Sequence, residues 1–180
     1  MRTLLKLAGI LLVLLLVGGA AGLAYFLNRF PNASPPREVT LPSTSEAIAR
    51  GEYLASHVML CVDCHSPRDF SKFAGPIVRA RLGAGGDRFD RATAGVPGAL
   101  YASNITPAGL GQWSDGELMR AVTEGVSRDG HALFPMMPYV NFGQLAEEDV
   151  RAALAFVRTL SPVENHPSCK MDSCLCHGDR

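Results

Sequence analysis

The stretch Cys61-Val62-Asp63-Cys64-His65 decides how the rest of this sequence is organised. Two thiols three positions apart, with an imidazole directly after them, form the C-x-x-C-H run typical of c-type haem attachment. On a helical turn both thiols can reach the two vinyl groups of one porphyrin, and the imidazole then falls beneath the iron. We therefore expect one covalently bound haem c, held by Cys61 and Cys64, with His65 as the proximal iron ligand.

Two other uses of paired cysteines compete with this interpretation, namely a thioredoxin-like redox pair and half of a zinc site. A redox pair belongs in a βαβ context, and no such pattern surrounds the run. A zinc site needs a second pair of ligands at suitable spacing. The histidine that directly follows the second cysteine favours haem.

A haem iron that only transfers electrons needs a second axial ligand. The candidates in the sequence are His57, Met59, Met119, His131, Met136, Met137, His166 and His177. The run Phe134-Pro135-Met136-Met137-Pro138-Tyr139 stands out, because prolines on both sides stiffen the backbone that carries a flexible thioether. The pattern alone does not choose between Met136 and Met137.

The N-terminus carries an uncharged, apolar run of 21 residues, Leu7 to Leu27, preceded by Arg2 and Lys6. At about 1.5 Å per residue a helix of this length spans roughly 30 Å, the thickness of a bilayer's hydrocarbon core. A cleavable signal peptide has a shorter apolar region, of about 7 to 15 residues. We expect residues 1–27 to be a membrane anchor, with a signal peptide as the alternative.

Four prolines in residues 28–45 indicate an extended spacer between the anchor and a globular domain. We expect that domain to span residues 46–163 and a flexible, cysteine-containing tail to span 164–180. In the tail, Cys169, Cys174, Cys176 and His177 are interpreted as a disulfide with one odd thiol, or as a soft-metal site. The C-x-C-H run there is one residue short of a haem site.

Three helices are predicted in the domain, and no convincing strand pattern is present, so the fold class is all-α. The first runs from Ser45, as N-cap, to Leu60, and Gly51 in its middle indicates a closely crossing helix, with Phe156 as the natural partner. The second starts at the capping box Ser114-x-x-Glu117. The third runs from about Ala146 to Leu160.

The long connection between His65 and Ser114 contains little regular pattern, and a connection of this length is expected to wrap the apolar macrocycle. Pro76 or Pro107 is expected to bring a carbonyl to the Nδ1 proton of His65. Trp113 is the only tryptophan. Its indole N–H is a candidate propionate donor, and simple packing is the alternative.

Charge is balanced overall, since 17 basic residues face 17 acidic ones, and no nucleic-acid partner is expected. Its distribution is uneven. Residues 68–91 hold six basic and three acidic side chains, whereas residues 113–150 hold seven acidic and two basic ones. Such a split orients a protein toward a redox partner or marks two solvated faces.

An ordered set of motifs resembles the class I cytochrome c domain, in the version found in cytochrome subunits of membrane-bound periplasmic alcohol and gluconate dehydrogenases. The motifs are Asn104-Ile105-Thr106-Pro107, Gly109-Leu110-Gly111-Gln112-Trp113-Ser114-Asp115, Gly125-Val126, Asp129-Gly130 and Pro135-Met136-Met137-Pro138-Tyr139. The resemblance covers roughly Ala47 to Val163. In that family Pro-Tyr directly follows the axial methionine, which points to Met137 as the distal ligand.

The resemblance implies a compact all-α bundle around one haem, and electron transfer from a dehydrogenase to a quinone-linked acceptor or respiratory oxidase. It also places the haem domain in the periplasm, with the anchor in the bacterial inner membrane. This sequence departs from the family by having one C-x-x-C-H motif instead of three, an N-terminal membrane segment, and the cysteine tail.

An electron carrier without catalysis of its own is therefore the main hypothesis. A cytochrome subunit of a larger oxidoreductase, a haem-based gas or redox sensor, and a metal chaperone working through the tail are the alternatives.

Overall fold

The computed structural model describes residues 2–30, 33–86 and 88–165, and about half of the chain is helical. The elements follow one another as α1 (Arg2–Arg29), α2 (Ser45–Tyr53), a π-helical turn (Leu54–Val58), α3 (Cys61–Cys64), a 3₁₀ turn (Arg79–Arg81), β1 (Arg88–Asp90), α4 (Arg91–Ala94), β2 (Ala99–Tyr101), α5 (Pro107–Leu110), α6 (Asp115–Glu124), α7 (Tyr139–Phe142) and α8 (Glu147–Thr159). His166, Cys169, Cys174, Cys176 and His177 lie outside the described residues.

The expected membrane segment lies within α1, a 28-residue helix in which no residue is buried. It is long and apolar enough to cross a membrane, a property that it shares with signal sequences near an N-terminus. The finding is compatible with an anchor.

The core of the globular part is built where α2 crosses α8. A Cβ on Gly51 would overlap the backbone carbonyl of Ala152 and would approach the Cβ of Phe156 to 3.1 Å. The absence of a side chain at residue 51 thus lets the two backbones touch, which confirms the close crossing predicted from Gly51. Val150, Ala153 and other α8 side chains are buried around this contact.

The predicted first helix differs from α2 at both ends. Its N-cap is Thr44 instead of Ser45, because the Thr44 hydroxyl accepts a hydrogen bond from the Ala47 amide at 3.2 Å. The α-helix ends at Tyr53, and the chain continues as the π-helical turn. Neither proline nor glycine interrupts residues 54–58, so the sequence contains no helix breaker that would signal the change in winding.

The other two helices agree with their predicted starts. Ser114 caps α6, with reciprocal bonds between its hydroxyl and the Glu117 amide and between the Glu117 carboxylate and the Ser114 amide. α8 begins directly after Ala146 and carries three acidic residues in its first turn, where the partial positive charge of the helix dipole favours them.

The all-α expectation needs one correction. Strands β1 and β2 pair antiparallel, with Phe89 opposite Leu100, and this small sheet lies in the connection that was expected to have little regular structure. Each strand has three residues, which is too short for an alternating pattern to be visible in the sequence.

Residues 33–44, here called the strap, form neither helix nor strand, and they pack on the domain. Val39 and Leu41 both lie against the hydrophobic core. Arg120 donates to the Ser34 carbonyl at 3.0 Å, and a Cβ on Gly116 would overlap the Arg37 carbonyl. The spacer expected over residues 28–45 is therefore, in its second part, a piece of the globular unit.

We expect Gly51→Ala to lower the free energy of unfolding by about 1–3 kcal/mol, the usual cost of overpacking. Alanine favours a helix by about 1 kcal/mol over glycine, so a loss must come from the contact with Ala152. Denaturant unfolding of the haem-loaded protein measures it. The control is Glu52→Ala, an exposed neighbour in the same helix. Equal stability of the two variants would contradict the close crossing.

Candidate functional site

The C-x-x-C-H run forms a short helix of its own, α3, and a left-handed residue sets its direction. The π-helical turn closes with a hydrogen bond from the Met59 amide to the Leu54 carbonyl at 2.8 Å. Leu60 then adopts φ 54°, a conformation that costs a leucine roughly 1–2 kcal/mol. Such strain persists only where the surroundings enforce it and is concentrated at functional sites. Met59 before Leu60 and Val62 after it are both buried.

Cys61 and Cys64 occupy different environments on this turn. Neither is part of a disulfide bond; Cys61 is half-buried against the core and Cys64 is exposed. Burial raises the pKa of the Cys61 thiol to about 11. In the chain without haem, Cys61 is therefore a neutral thiol at physiological pH. A buried neutral thiol packs as a small hydrophobic group does.

His65 is oriented by a backbone carbonyl. Its Nδ1 lies 2.8 Å from the carbonyl oxygen of Ser103. A carbonyl can only accept, so Nδ1 carries the proton and Nε2 carries the lone pair. Burial lowers the pKa of His65, while the bond to Ser103 acts in the opposite direction. The neutral imidazole with Nε2 available is the form that ligates a metal.

The expectation that Pro76 or Pro107 supplies this carbonyl is wrong. The Pro76 carbonyl accepts from the Asp69 amide and that of Pro107 accepts from the Gly111 amide, both at 2.9 Å. Each closes a local turn, so neither reaches the imidazole. The sequence signal for Ser103 is weak, because a backbone acceptor does not depend on the type of residue that carries it.

A buried network holds the Ser103 carbonyl in place. The side chain of Asn104 accepts from the hydroxyl of Thr106 at 2.7 Å and donates to the Val163 carbonyl at 2.8 Å. Thr106 is fully buried. The amide of Ile105 donates to the Gly83 carbonyl, and that of Gly85 donates to the carbonyl of His65 itself. The loop that faces the imidazole is thus fastened on both sides of Ser103.

The two methionines of the proline-flanked run have different environments. Met137 packs, partly buried, against the hydrophobic core, whereas 38% of Met136 is exposed. The Tyr139 amide donates to the Met137 carbonyl at 2.8 Å, and the Tyr139 ring lies over Gly125, where a Cβ would meet it at 2.6 Å. This difference agrees with a distal role for Met137, which stays a prediction.

The other candidate ligands have structural surroundings of their own. Met59 and Met119 are buried in the core. The ring of His57 lies against that of Tyr53, with centroids 5.3 Å apart. His131 Nδ1 lies 2.5 Å from the carboxylate of Asp129.

Trp113 packs, partly buried, against the core, which is one of its two predicted roles. Its carbonyl accepts a hydrogen bond from Arg158, whose guanidinium also binds the Leu110 carbonyl and the Asp115 carboxylate. Arg158 therefore joins α8 to the start of α6. The propionate contact predicted for the indole stays a prediction.

The residues at this site fit a covalently attached haem. Two thiols and an imidazole follow one another on one short turn, and the tautomer of the imidazole leaves Nε2 as the ligand atom. Within residues 2–30, 33–86 and 88–165 no group of three or more histidine, cysteine or acidic side chains could hold a metal ion. In that part of the chain, then, nothing completes a zinc site around Cys61 and Cys64.

Comparisons with known proteins point in the same direction. No protein-family model matches the chain. It is 35% identical over 121 residues to the gluconate 2-dehydrogenase cytochrome c subunit of Pantoea cypripedii, covering 64% of this chain and 24% of that protein. It is 30% identical over 113 residues to the cytochrome c subunit of alcohol dehydrogenase (quinone) from Gluconobacter oxydans, covering 61% of this chain and 20% of that protein.

A third relative covers more of the sequence. The chain is 34% identical over 154 residues to a diheme cytochrome c-type of Cereibacter sphaeroides, covering 84% of this chain and 47% of that protein. The matches thus span about a quarter or less of the two dehydrogenase subunits and just under half of the diheme protein. The chain is a homologue of cytochromes c and resembles the cytochrome c subunits of gluconate and alcohol dehydrogenases.

Proposed function

We propose that this chain is a membrane-anchored mono-haem cytochrome c that transfers single electrons between a periplasmic dehydrogenase and the respiratory chain. The observation that carries the proposal is the hydrogen bond between His65 Nδ1 and the Ser103 carbonyl. It fixes the tautomer that an axial ligand needs, on the turn that also holds Cys61 and Cys64. The cytochrome c names of the relatives support the same assignment.

Each site residue has a distinct task in this proposal. Cys61 and Cys64 form thioethers with the porphyrin, His65 provides the proximal ligand, and Met137 provides the distal one. When bound, the haem iron supplies reversible one-electron chemistry. The side chain of Trp113 packs against the core and is a candidate propionate donor. A thioether from Met137 would give the bound haem a higher reduction potential than a second histidine would.

A single haem is proposed because the sequence holds one C-x-x-C-H run. The name of the diheme relative makes a second haem a possibility to be tested. The tail run Cys174-Leu175-Cys176-His177 has only one residue between its cysteines. We propose that this spacing does not attach haem. The tail predicted over residues 164–180 begins against the domain, because the Asn165 side chain donates to the Ala84 carbonyl at 2.7 Å.

The proposed location is the bacterial inner membrane, crossed once by α1, with the haem domain in the periplasm. The support is the apolar, unburied α1 and the resemblance to cytochrome subunits of dehydrogenases. In this arrangement residues 1–27 form the anchor, and the packed unit of the strap and residues 46–163 carries the haem. The anchor keeps the carrier next to its quinone-linked acceptor or oxidase.

We propose a carrier role, without catalysis of its own. Among the described residues, the Ser127 hydroxyl lies close to the pair formed by His131 and Asp129, and it donates to the same Asp129 oxygen that lies beside His131. In a nucleophile–base pair the hydroxyl would bind the imidazole instead. The names of the relatives favour one variant of this role, in which the chain is the cytochrome subunit of a larger dehydrogenase complex.

Met137→Ala is expected to abolish the weak near-red absorbance band that sulfur ligation gives to ferric haem, because it removes the distal thioether. Met136→Ala is the matched control and is expected to keep the band, since that side chain is the more exposed of the two. Absorbance spectra of both purified, oxidised variants at neutral pH measure this. The opposite pattern would assign the ligand to Met136.

Cys61→Ser combined with Cys64→Ser is expected to yield a chain without covalent haem, because both thioethers are lost. Extraction with acidified organic solvent, followed by mass spectrometry of the polypeptide, measures the attachment. The control is Cys174→Ser with Cys176→Ser, which is expected to retain one haem per chain. Two haems on the parent protein, or a loss of pigment from the control, would contradict the mono-haem proposal.

Asn104→Ala is expected to lower the free energy of unfolding by about 1–3 kcal/mol, because it leaves buried Thr106 and the Val163 carbonyl without their partner. It should also loosen the Ser103 carbonyl, make the imidazole less basic and raise the reduction potential. Denaturant unfolding and redox titration measure the two effects. Asn141→Ala, at an exposed asparagine, is the control, and equal potentials would contradict a positioning role for Asn104.

A further inference from the structure

Arg120 of α6 is a buried cation, since only 7% of the residue is exposed. Arginine is almost never fully buried unless it is paired. In the part of the chain that the structure describes, none of the ion pairs involves Arg120, and its Nε has no hydrogen-bond partner. Because a charge is costly to remove from water, the stability of the core does not explain an arginine at this position.

The guanidinium of Arg120 binds two different segments of the chain. Nη1 donates to the Ser34 carbonyl of the strap at 3.0 Å. Nη2 donates to the carbonyls of Ser127 and Arg128, at 2.7 and 3.3 Å. A guanidinium is planar and holds its donors in fixed directions, so Arg120 fastens residues 127–128 to α6 and to the strap.

Residues 125–133, here called the hairpin, are closed by their own backbone hydrogen bonds. The Leu133 amide donates to the Gly125 carbonyl at 2.7 Å, and the Ser127 amide donates to the His131 carbonyl at 2.9 Å. A displacement at residue 127 is therefore passed on to Gly125 and Leu133, which form the base of the hairpin.

The short run that carries Met137 begins and ends at this base. It begins after Leu133, whose amide binds the Gly125 carbonyl. It ends at Tyr139, whose ring lies over Gly125, so that a Cβ on the glycine would meet the ring at 2.6 Å. The position of the hairpin base therefore sets both ends of the run that presents the thioether.

We propose that Arg120 is a positioning residue for the distal methionine and acts through the hairpin. Its guanidinium holds the hairpin against α6 and the strap, and the hairpin base holds the two ends of the Met137 run. A methionine side chain is flexible, so it presents its sulfur in one place only when the surrounding structure is fixed. That Met137 is the iron ligand rests on the proposed function.

The test is competition between the thioether and free imidazole for the ferric haem of the full-length, haem-loaded protein. Imidazole replaces the thioether and removes the weak near-red band. The imidazole concentration that removes half of the band thus measures how firmly the sulfur is held. We expect Arg120→Met to lower this concentration about tenfold, the usual size of an effect on ligand orientation. Arg120→Lys should lower it by a smaller factor, because an ammonium cannot reproduce the fork of donors.

The matched control is Arg128→Met, the same substitution at an exposed arginine of the same hairpin, and it should leave the imidazole concentration unchanged. Hydrogen exchange of backbone amides separates positioning from general loosening of the domain. In Arg120→Met the Leu133 amide should exchange faster. The Gly85 amide, which binds the His65 carbonyl on the proximal side, should keep its rate.

Three results would each overturn the role of Arg120. They are an unchanged imidazole concentration in Arg120→Met, an equal fall in Arg128→Met, and an equal acceleration of exchange at Leu133 and Gly85. If Arg120→Met yields no folded protein, Arg120→Lys decides by the same two measurements. A parent protein without the near-red band would instead refute Met137 as the ligand in the proposed function, while the exchange of the Leu133 amide would still decide whether Arg120 fastens the hairpin.

Discussion

The contact between Gly51 and the Ala152 carbonyl is the constraint on which the site depends. It brings the backbones of α2 and α8 together. The chain that leaves α2 therefore turns directly against α8, with no side chain of residue 51 between the two helices. The π-helical turn buries Leu54 and Ala55 beside the crossing. Leu60 then separates this turn from α3 with a left-handed backbone, so that the C-x-x-C-H turn starts from a position that the helix crossing has already set.

The second half of the site is a loop that closes around His65. The backbone carbonyl of His65 accepts a hydrogen bond from the Gly85 amide, and the Nδ1 of His65 donates to the Ser103 carbonyl. Between those two contacts the chain forms the small β1–β2 sheet and returns. Asn104 and the buried Thr106 lock the return to the segment after α8. His65 is thereby held at both its backbone carbonyl and its imidazole ring. A metal ligand of fixed tautomer requires this rigidity.

Whether a feature could be predicted from the sequence depends on whether it is produced by a side chain or by the backbone. Some features depend on the chemistry or size of particular side chains, and these can be predicted from the sequence. They are the thiols and imidazole, the Ser114 capping box and the close crossing at Gly51. The Ser103 carbonyl is not among them, because every residue has one. The left-handed Leu60 is enforced by its surroundings against its own preference, so only the three-dimensional structure reveals it.

The strap limits how far the proposed carrier can move. An unpacked linker over residues 28–45 would let the domain range widely from its anchor. With Ser34 bound by the buried Arg120 and Leu41 against the core, the spacer from residue 34 onward belongs to the domain and adds no reach. In the proposed function, the domain therefore stays close to the membrane surface, and electron partners bind there or are assembled beside it. Such an arrangement favours a fixed relay over a mobile shuttle.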